Sequence, residues 1–246
     1  MIPSAKLNIV QRALNRAGRP LGIVPFPVTW EREQRDSSTR DETFESIFRE
    51  NYWGSRESVS GPGSELARTE TYRQALVRFL RHQGISSLFD APCGDLNWMS
   101  EVLSQVNVHY VGGDISDAVL QVARARYPDL DLRHFDICAD IFPEGEVWHC
   151  RDALLHLSFD DVWAALRNAA QANVRFALMS TYRARFLKNL DIRTGGWRFL
   201  DLERPPFNLA PPVEYLPDSA WGEFPRAVGV WPSEAIRKAV TRHYGH

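Results

Sequence analysis

Cysteine is scarce in this chain of 246 residues, with only Cys93, Cys138 and Cys150 present, and none stands at metal-ligand spacing. We read all three as small reduced residues in or just after strands, and expect neither a disulfide framework nor a metal. Long apolar runs are missing too. No stretch approaches the ~18 apolar residues that span a bilayer, and Met1 to Val10 lacks the continuous apolar segment of a secretory signal. An excess of one charge is also absent: 29 Lys+Arg stand against 31 Asp+Glu, a formal net charge of −2. No global basic field therefore recruits nucleic acid or an anionic membrane. Zinc motifs, phosphate loops and hydrolytic triads do not occur. A cytoplasmic protein with no integral membrane segment is the expectation.

The 44% apolar and 24% charged composition suits one α/β domain with appended segments. We divide the chain into an N-terminal helical extension and charged connector (1–50) and a larger domain (51–246). Leu7, Val10, Ala13 and Leu14 oppose Lys6, Arg12 and Arg16, which predicts a short amphipathic helix over 5–17. Residues 31–42, dense in mixed charge, read as a solvated connector. Tyr52 to Ser64 is rich in glycine, serine and proline and reads as a loop. Ser64 then reads as the cap of a helix reaching about His82.

From there strands and helices alternate. Strand 85–90 leads to helix 97–105, strand 108–113 to helix 117–127, and strand 130–135 follows. A strand at 147–150 precedes a helix over 159–172, with Ser158 and Asp161 as a capping box. A strand over 174–181, a long irregular stretch, strands at 213–217 and 227–231 and a helix from Ser233 complete the pattern. Such alternation predicts a doubly wound sheet.

Three strands end on an acid: Asp90, Asp114 and Asp136. In an open α/β sheet the ligand lies beyond the carboxyl ends of the strands, so these acids point to a nucleoside. Gly94 supplies a permissive turn. Asp114 is placed to accept from ribose hydroxyls, Ile115 to lie on an adenine face, Asp136 to accept from the adenine amine and Ile137 to cover the ring edge. A nicotinamide dinucleotide would need G-x-G-x-x-G at the first turn, but Pro92 and Leu96 occupy positions where backbone must approach the pyrophosphate. S-adenosyl-L-methionine (SAM) has no phosphate and tolerates the bulkier turn.

The residues also carry a family resemblance. W-G-x-x-E-S-x-S-G-x-G-S at 53–64, D-A-P-C-G-D-x-x-W at 90–98, C-R-D-x-L-x-H-L at 150–157 and W-R-x-L-D-L-x-x-P-P-F at 197–207 resemble a bacterial group of class I SAM-dependent methyltransferases. The resemblance runs from about Asn51 to Trp231. It implies a seven-stranded Rossmann-like sheet of order 3-2-1-4-5-7-6 with the last strand antiparallel, and Asp114 and Asp136 as ribose and adenine contacts. Trp53, Gly63, Asp90, Pro92, Cys93, Gly94, Trp98 and Arg151 join Asp114, Ile115, Asp136 and Ile137 as the expected cofactor residues.

Methyl transfer is an in-line displacement, so alignment supplies much of the rate. Asp152 and His156, spaced i, i+4 after the fourth strand, are the candidate catalytic pair if the stretch turns helically. The bland alternative has His156 packing under the next helix and Asp152 capping a turn. Arg151 reads equally as a carboxylate contact or an ion pair. Between Arg183 and Arg198 five basic residues face one acid, Asp191, with Trp197, Phe199, Phe207, Trp221 and Phe224 nearby. We assign residues 183–226 to acceptor binding, with Tyr182, Arg183, Asp191, Trp197 and Arg198 as contacts, against the alternative of a solvated loop anchored by core aromatics. The expectation is methylation of a small molecule or saccharide, of an anionic kind if these arginines meet it. Its rivals are an RNA or protein methyltransferase and a non-catalytic domain of the same fold.

Overall fold

A computed structural model describes residues 9–18, 23, 29–30, 39–218 and 226–245. Seven strands form one sheet: β1 (Ser87–Asp90), β2 (His109–Asp114), β3 (Asp131–His134), β4 (Val147–Cys150), β5 (Phe176–Tyr182), β6 (Glu214–Pro217) and β7 (Arg226–Pro232). Their spatial order is 3-2-1-4-5-7-6. The first five run parallel, and β7 pairs antiparallel with both β5 and β6. The order expected from the motifs is the order found. A separate two-residue pair joins Thr29–Trp30 to Trp197–Arg198.

The helices are α1 (Ile9–Gly18), α2 (Arg40–Arg49), α3 (Leu66–His82), α4 (Met99–Leu103), α5 (Asp117–Arg126), α6 (Phe159–Gln171) and α7 (Ser233–Tyr244). Successive side chains of a strand point to opposite faces, and β1 divides accordingly. Leu88 packs with Tyr72, Leu76, Met99, Val102, Val119 and Leu120, so α3, α4 and α5 cover one face. Phe89 packs with Trp148, Val162, Leu166, Ala169 and Ile236, so α6 and α7 cover the other. Among the described residues no helix is long and apolar enough to cross a membrane.

Three local expectations change. Residues 40–42 are not connector but the first turn of α2, because Thr39 and Glu42 form a reciprocal capping box. Helix α3 starts at Leu66 after a 3-10 turn over Pro62–Ser64, so Ser64 is not its cap; Glu57 accepts the free N–H of Leu66 instead. Ser158 does cap α6, accepting from the Asp161 N–H. Its own N–H, however, goes to Thr194 Oγ1, and the Asp161 carboxylate turns to Arg40 and Thr194, so the box is not closed. The predicted helix at 5–17 appears as α1, with Lys6 and Leu7 outside the described residues.

Candidate functional site

At the carboxyl ends of the parallel strands lies a cleft of about 940 Å³, its open mouth included. It sits where β1 is flanked by β2 on one side and β4 on the other, the point at which strand order reverses. Asp90, Pro92, Cys93, Gly94 and Trp98 line it from the first junction. Asp114 and Ile115 come from the second, Asp136 and Ile137 from the third, and Arg151, Asp152 and His156 from the fourth, with Trp53 closing one wall. Gly63 stays outside the lining, but its carbonyl accepts from Arg151 at 3.0 Å.

The first turn is held by an acid that sequence reasoning passed over. Asp95, buried, accepts from the Ser58 and Ser60 hydroxyls at 2.7 and 3.1 Å and from the Val59 N–H at 3.2 Å. The serine-rich loop is thereby fastened onto the turn. Gly94 sits at φ +61°, and a Cβ there would stand 2.4 Å from Ser60 Oγ, so both conformation and space demand glycine. Gly61, at φ +95°, lets the loop pass Trp53, which a Cβ would meet at 2.8 Å.

Asp114 receives the N–H of Ser116 on Oδ1 and of Gly94 on Oδ2, each at 3.0 Å. Each oxygen keeps a lone pair for a further donor. Burial pushes its pKa up to about 6, although the two N–H bonds oppose that shift. Asp136 is engaged differently. Oδ1 accepts from the Cys138 N–H at 2.8 Å, and Oδ2 accepts Nε and an Nη of Arg40 at 3.0 and 2.7 Å. Arg40 also reaches Asp161 at 2.9 Å. Burial would lower the Arg40 pKa, yet Asp136 and its neighbours hold it above the ordinary value.

Arg40 belongs to α2, which crosses the Asp136 side of the cleft and lends it Phe44 and Phe48. Glu45 fastens this helix to α5, accepting from Ser116 Oγ at 2.6 Å and the Ala118 N–H at 3.1 Å. The charge density of 31–42 masked this element in the sequence. Thr39 and Glu42 three apart, followed by Phe44, Ile47 and Phe48 at helical spacing, were the available signal.

The fourth junction departs from the helical reading. Asp152 has φ +56°, and only Leu154–His156 forms a short 3-10 turn, so i, i+4 spacing does not place the pair. Both side chains line the cleft nonetheless. Asp152 is gripped by Arg226 at 2.8 and 2.7 Å, and Arg226 and Arg151 both pair with buried Asp218. Burial alone would raise the Asp152 pKa; Arg226 and Arg151 hold it below the ordinary value. A carboxylate so clamped is a poor proton acceptor.

His156 is better disposed. Its Nδ1 lies 2.8 Å from the Gly196 carbonyl, which can only accept, so Nδ1 carries the proton and Nε2 the lone pair. Burial lowers its pKa to about 4, the Gly196 bond opposing in part. The ring packs on Trp53 with centroids 4.5 Å apart.

The structure does not bring Tyr182, Arg183, Asp191, Trp197 or Arg198 into this cleft. Part of the segment supports the stretch 154–159 from behind. Asp191 accepts the Phe159 N–H at 2.7 Å, and Arg198, 1% exposed, donates to the carbonyls of Leu157 and Leu154. Trp197 and Tyr182 both pack on Phe199. Arg183 stacks on Tyr215 at 3.8 Å in a shallower cleft with Arg185, Asp201, Glu203 and Arg204. Trp221 and Phe224 lie outside the described residues.

No family model matches this chain, and no curated protein matches it by sequence. Solved structures do match its fold. Magnesium protoporphyrin IX methyltransferase of Synechocystis PCC 6803 with bound SAM superposes at a TM-score of 0.57 and 12% identity, over 80% of this chain and 99% of that one. The methyltransferase domain of bacterial CtHen1-C gives 0.53 at 16% identity, over 67% and 98%. The N-terminal domain of EvdMO1 with S-adenosylhomocysteine (SAH) bound gives 0.50 at 18%, over 66% and 80%. The likeness establishes the fold: a Rossmann-like sheet shared with class I SAM-dependent methyltransferases.

Proposed function

We propose that this chain is a SAM-dependent methyltransferase acting on a small molecule or saccharide held beside Trp53 and His156. The observation that carries the reading is the Asp114 carboxylate, fixed by two backbone N–H groups in a cleft of about 940 Å³ at the switch point of the sheet. The donor set suits the cofactor. Asp114 takes the ribose hydroxyls, Ile115, Ile137, Phe44 and Phe48 enclose the adenine, and Asp136 keeps acceptor capacity beside Arg40. Trp98 and Arg151 flank the amino-acid end.

When bound, SAM supplies a methyl on a sulfonium, whose C–S bond breaks as the acceptor's lone pair forms the new bond. His156 Nε2 accepts the hydrogen of an acceptor hydroxyl or amine and so aims the lone pair in line. Trp53 offers an aromatic face to a sugar or planar acceptor, and the wall formed with His156 excludes water. Of the five basic residues near 183–198, Arg198 is buried and so is not available to a polyanion, and Arg183 lies over Tyr215. Two solved neighbours support the acceptor class: one is a magnesium protoporphyrin IX methyltransferase, and EvdMO1 was also solved in the presence of SAH and D-fucose.

The test is SAH release from SAM across a panel of saccharides, small carboxylated and phosphorylated compounds, transfer RNA and unfolded protein. Turnover confined to small acceptors is the expected result. Turnover with RNA or protein alone, or SAM bound without turnover on any class, overturns the acceptor assignment.

A further inference from the structure

Beneath the cleft runs a buried chain of four side chains. Tyr72 Oη lies 2.8 Å from His149 Nε2, His149 Nδ1 lies 2.5 Å from Asp90 Oδ1, and Tyr110 donates to Asp90 Oδ2 at 2.8 Å. All four are at most 6% exposed, and Asp90 and His149 also line the cleft. The reaction as derived above uses neither. Protons can be placed on the chain by elimination. Among the described residues, the Tyr72 hydroxyl bonds to His149 Nε2 and to no other acceptor. A proton on Nε2 would leave the Tyr72 hydrogen buried without a partner, a costly outcome. Tyr72 therefore donates to Nε2, Nδ1 donates to Asp90, and the chain carries one negative charge, on Asp90.

That charge has no cation of its own. Arg40 answers Asp136 and Asp161, while Arg151 and Arg226 answer Asp152 and Asp218. Among the described residues no lysine or arginine pairs with Asp90. A buried carboxylate held by one imidazole and one hydroxyl group, open to the cleft and lacking a counter-ion, awaits a cationic ligand.

We propose that Asp90, held by His149 and Tyr110, is the counter-charge to the sulfonium and makes this cleft select the charged methyl donor over its neutral thioether product. The assignment deepens the SAM reading and rests on it. SAM and SAH share adenine, ribose, amine and carboxylate, so contacts to those groups cancel in the ratio of their affinities. Only the methyl and the charge on sulfur remain. His149 acts as a positioning residue: it orients Asp90 and adds no positive charge.

Calorimetric titration of SAM and of SAH into the parent, Asp90→Asn and Tyr110→Phe, all at pH 8, tests this. In Asp90→Asn the preference for SAM should fall about tenfold, whereas Tyr110→Phe, which keeps the carboxylate, should keep the parent ratio. Equal losses for both ligands in Asp90→Asn would mean that Asp90 serves a group the two compounds share, their ammonium included, or the shape of the cleft, and would overturn the assignment. A parent that binds neither compound overturns the cofactor reading itself, and this assignment with it. Should Asp90→Asn fail to fold, the parent still answers with a nitrogen analogue of SAM bearing a tertiary amine in place of the sulfonium. Bound, that amine should hold its proton to a pH about one unit higher than when free; an unchanged or lowered value contradicts the proposal.

Discussion

His156 Nδ1 is fixed by the Gly196 carbonyl at 2.8 Å, and this one bond decides which imidazole nitrogen keeps its lone pair. Gly196 belongs to the segment whose basic residues drew attention in the sequence. Its contribution is made through the backbone, by setting a tautomer.

His156 should therefore stay neutral and competent across the physiological range. With its pKa lowered to about 4, activity that depends on neutral His156 should hold to about pH 5 and fall only near 4. Its stability contribution follows linkage: present in full above the ordinary value near 6.5, and lost as pH falls from there toward 4, because the unfolded chain takes the proton first. His156→Phe should lower kcat by about 10²-fold through lost alignment, with SAM affinity little changed, in a pH-resolved steady-state assay.

Asp114 should impose a second, higher pH limit. It binds ribose best as the anion, and its pKa stands at about 6, so SAM affinity should drop below that pH. In the free protein the native state holds this proton more tightly than the unfolded chain. Stability should then fall by up to ~3 kcal/mol as pH rises from about 4 to 6, and SAM should restore it. Asp114→Asn should weaken SAM by about 10- to 100-fold and remove the pH 6 inflection. Calorimetry between pH 5 and 8 measures both.

Arg40 ties α2 to Asp136 and Asp161 at one side of the cleft. Arg40→Ala should cost about 1–2 kcal/mol in chemical denaturation, and stopped-flow displacement should show SAM leaving several-fold faster. An unchanged dissociation rate would mean that α2 does not retain the cofactor.

Gly94→Ala should be among the most damaging single-methyl changes in the protein. The added Cβ would stand 2.4 Å from Ser60 Oγ at a φ of +61°, at the turn that presents its N–H to Asp114. A loss of about 2 kcal/mol in thermal or chemical unfolding and a collapse of SAM binding are expected.

The sheet was legible because four of its five parallel strands are mainly apolar, and β4 is buried throughout, while the polar edge strand β3 was marked by the spacing of its neighbours. Asp114 and Asp136 could be placed for the same reason: a strand end is a fixed address in this architecture. Helix α2 was hidden by charge density, since its charged residues serve the cleft and α5 as well as solvent. The segment 183–198 misled for the opposite reason. Its arginines look alike in sequence, but Arg198 turns inward to cap carbonyls while Arg183 lies on Tyr215, and no periodicity marks which does which. The Asp152 and His156 pairing assumed a helical turn that the left-handed backbone at Asp152 interrupts.

Calorimetric titration of the folded chain with SAM at pH 8 tests the account at its centre. It should show one site per chain with an affinity near the micromolar range, abolished in Asp114→Ala. A flat thermogram at tens of micromolar protein, from a chain whose circular dichroism shows it folded, would contradict the claim that this cleft is built for that nucleoside.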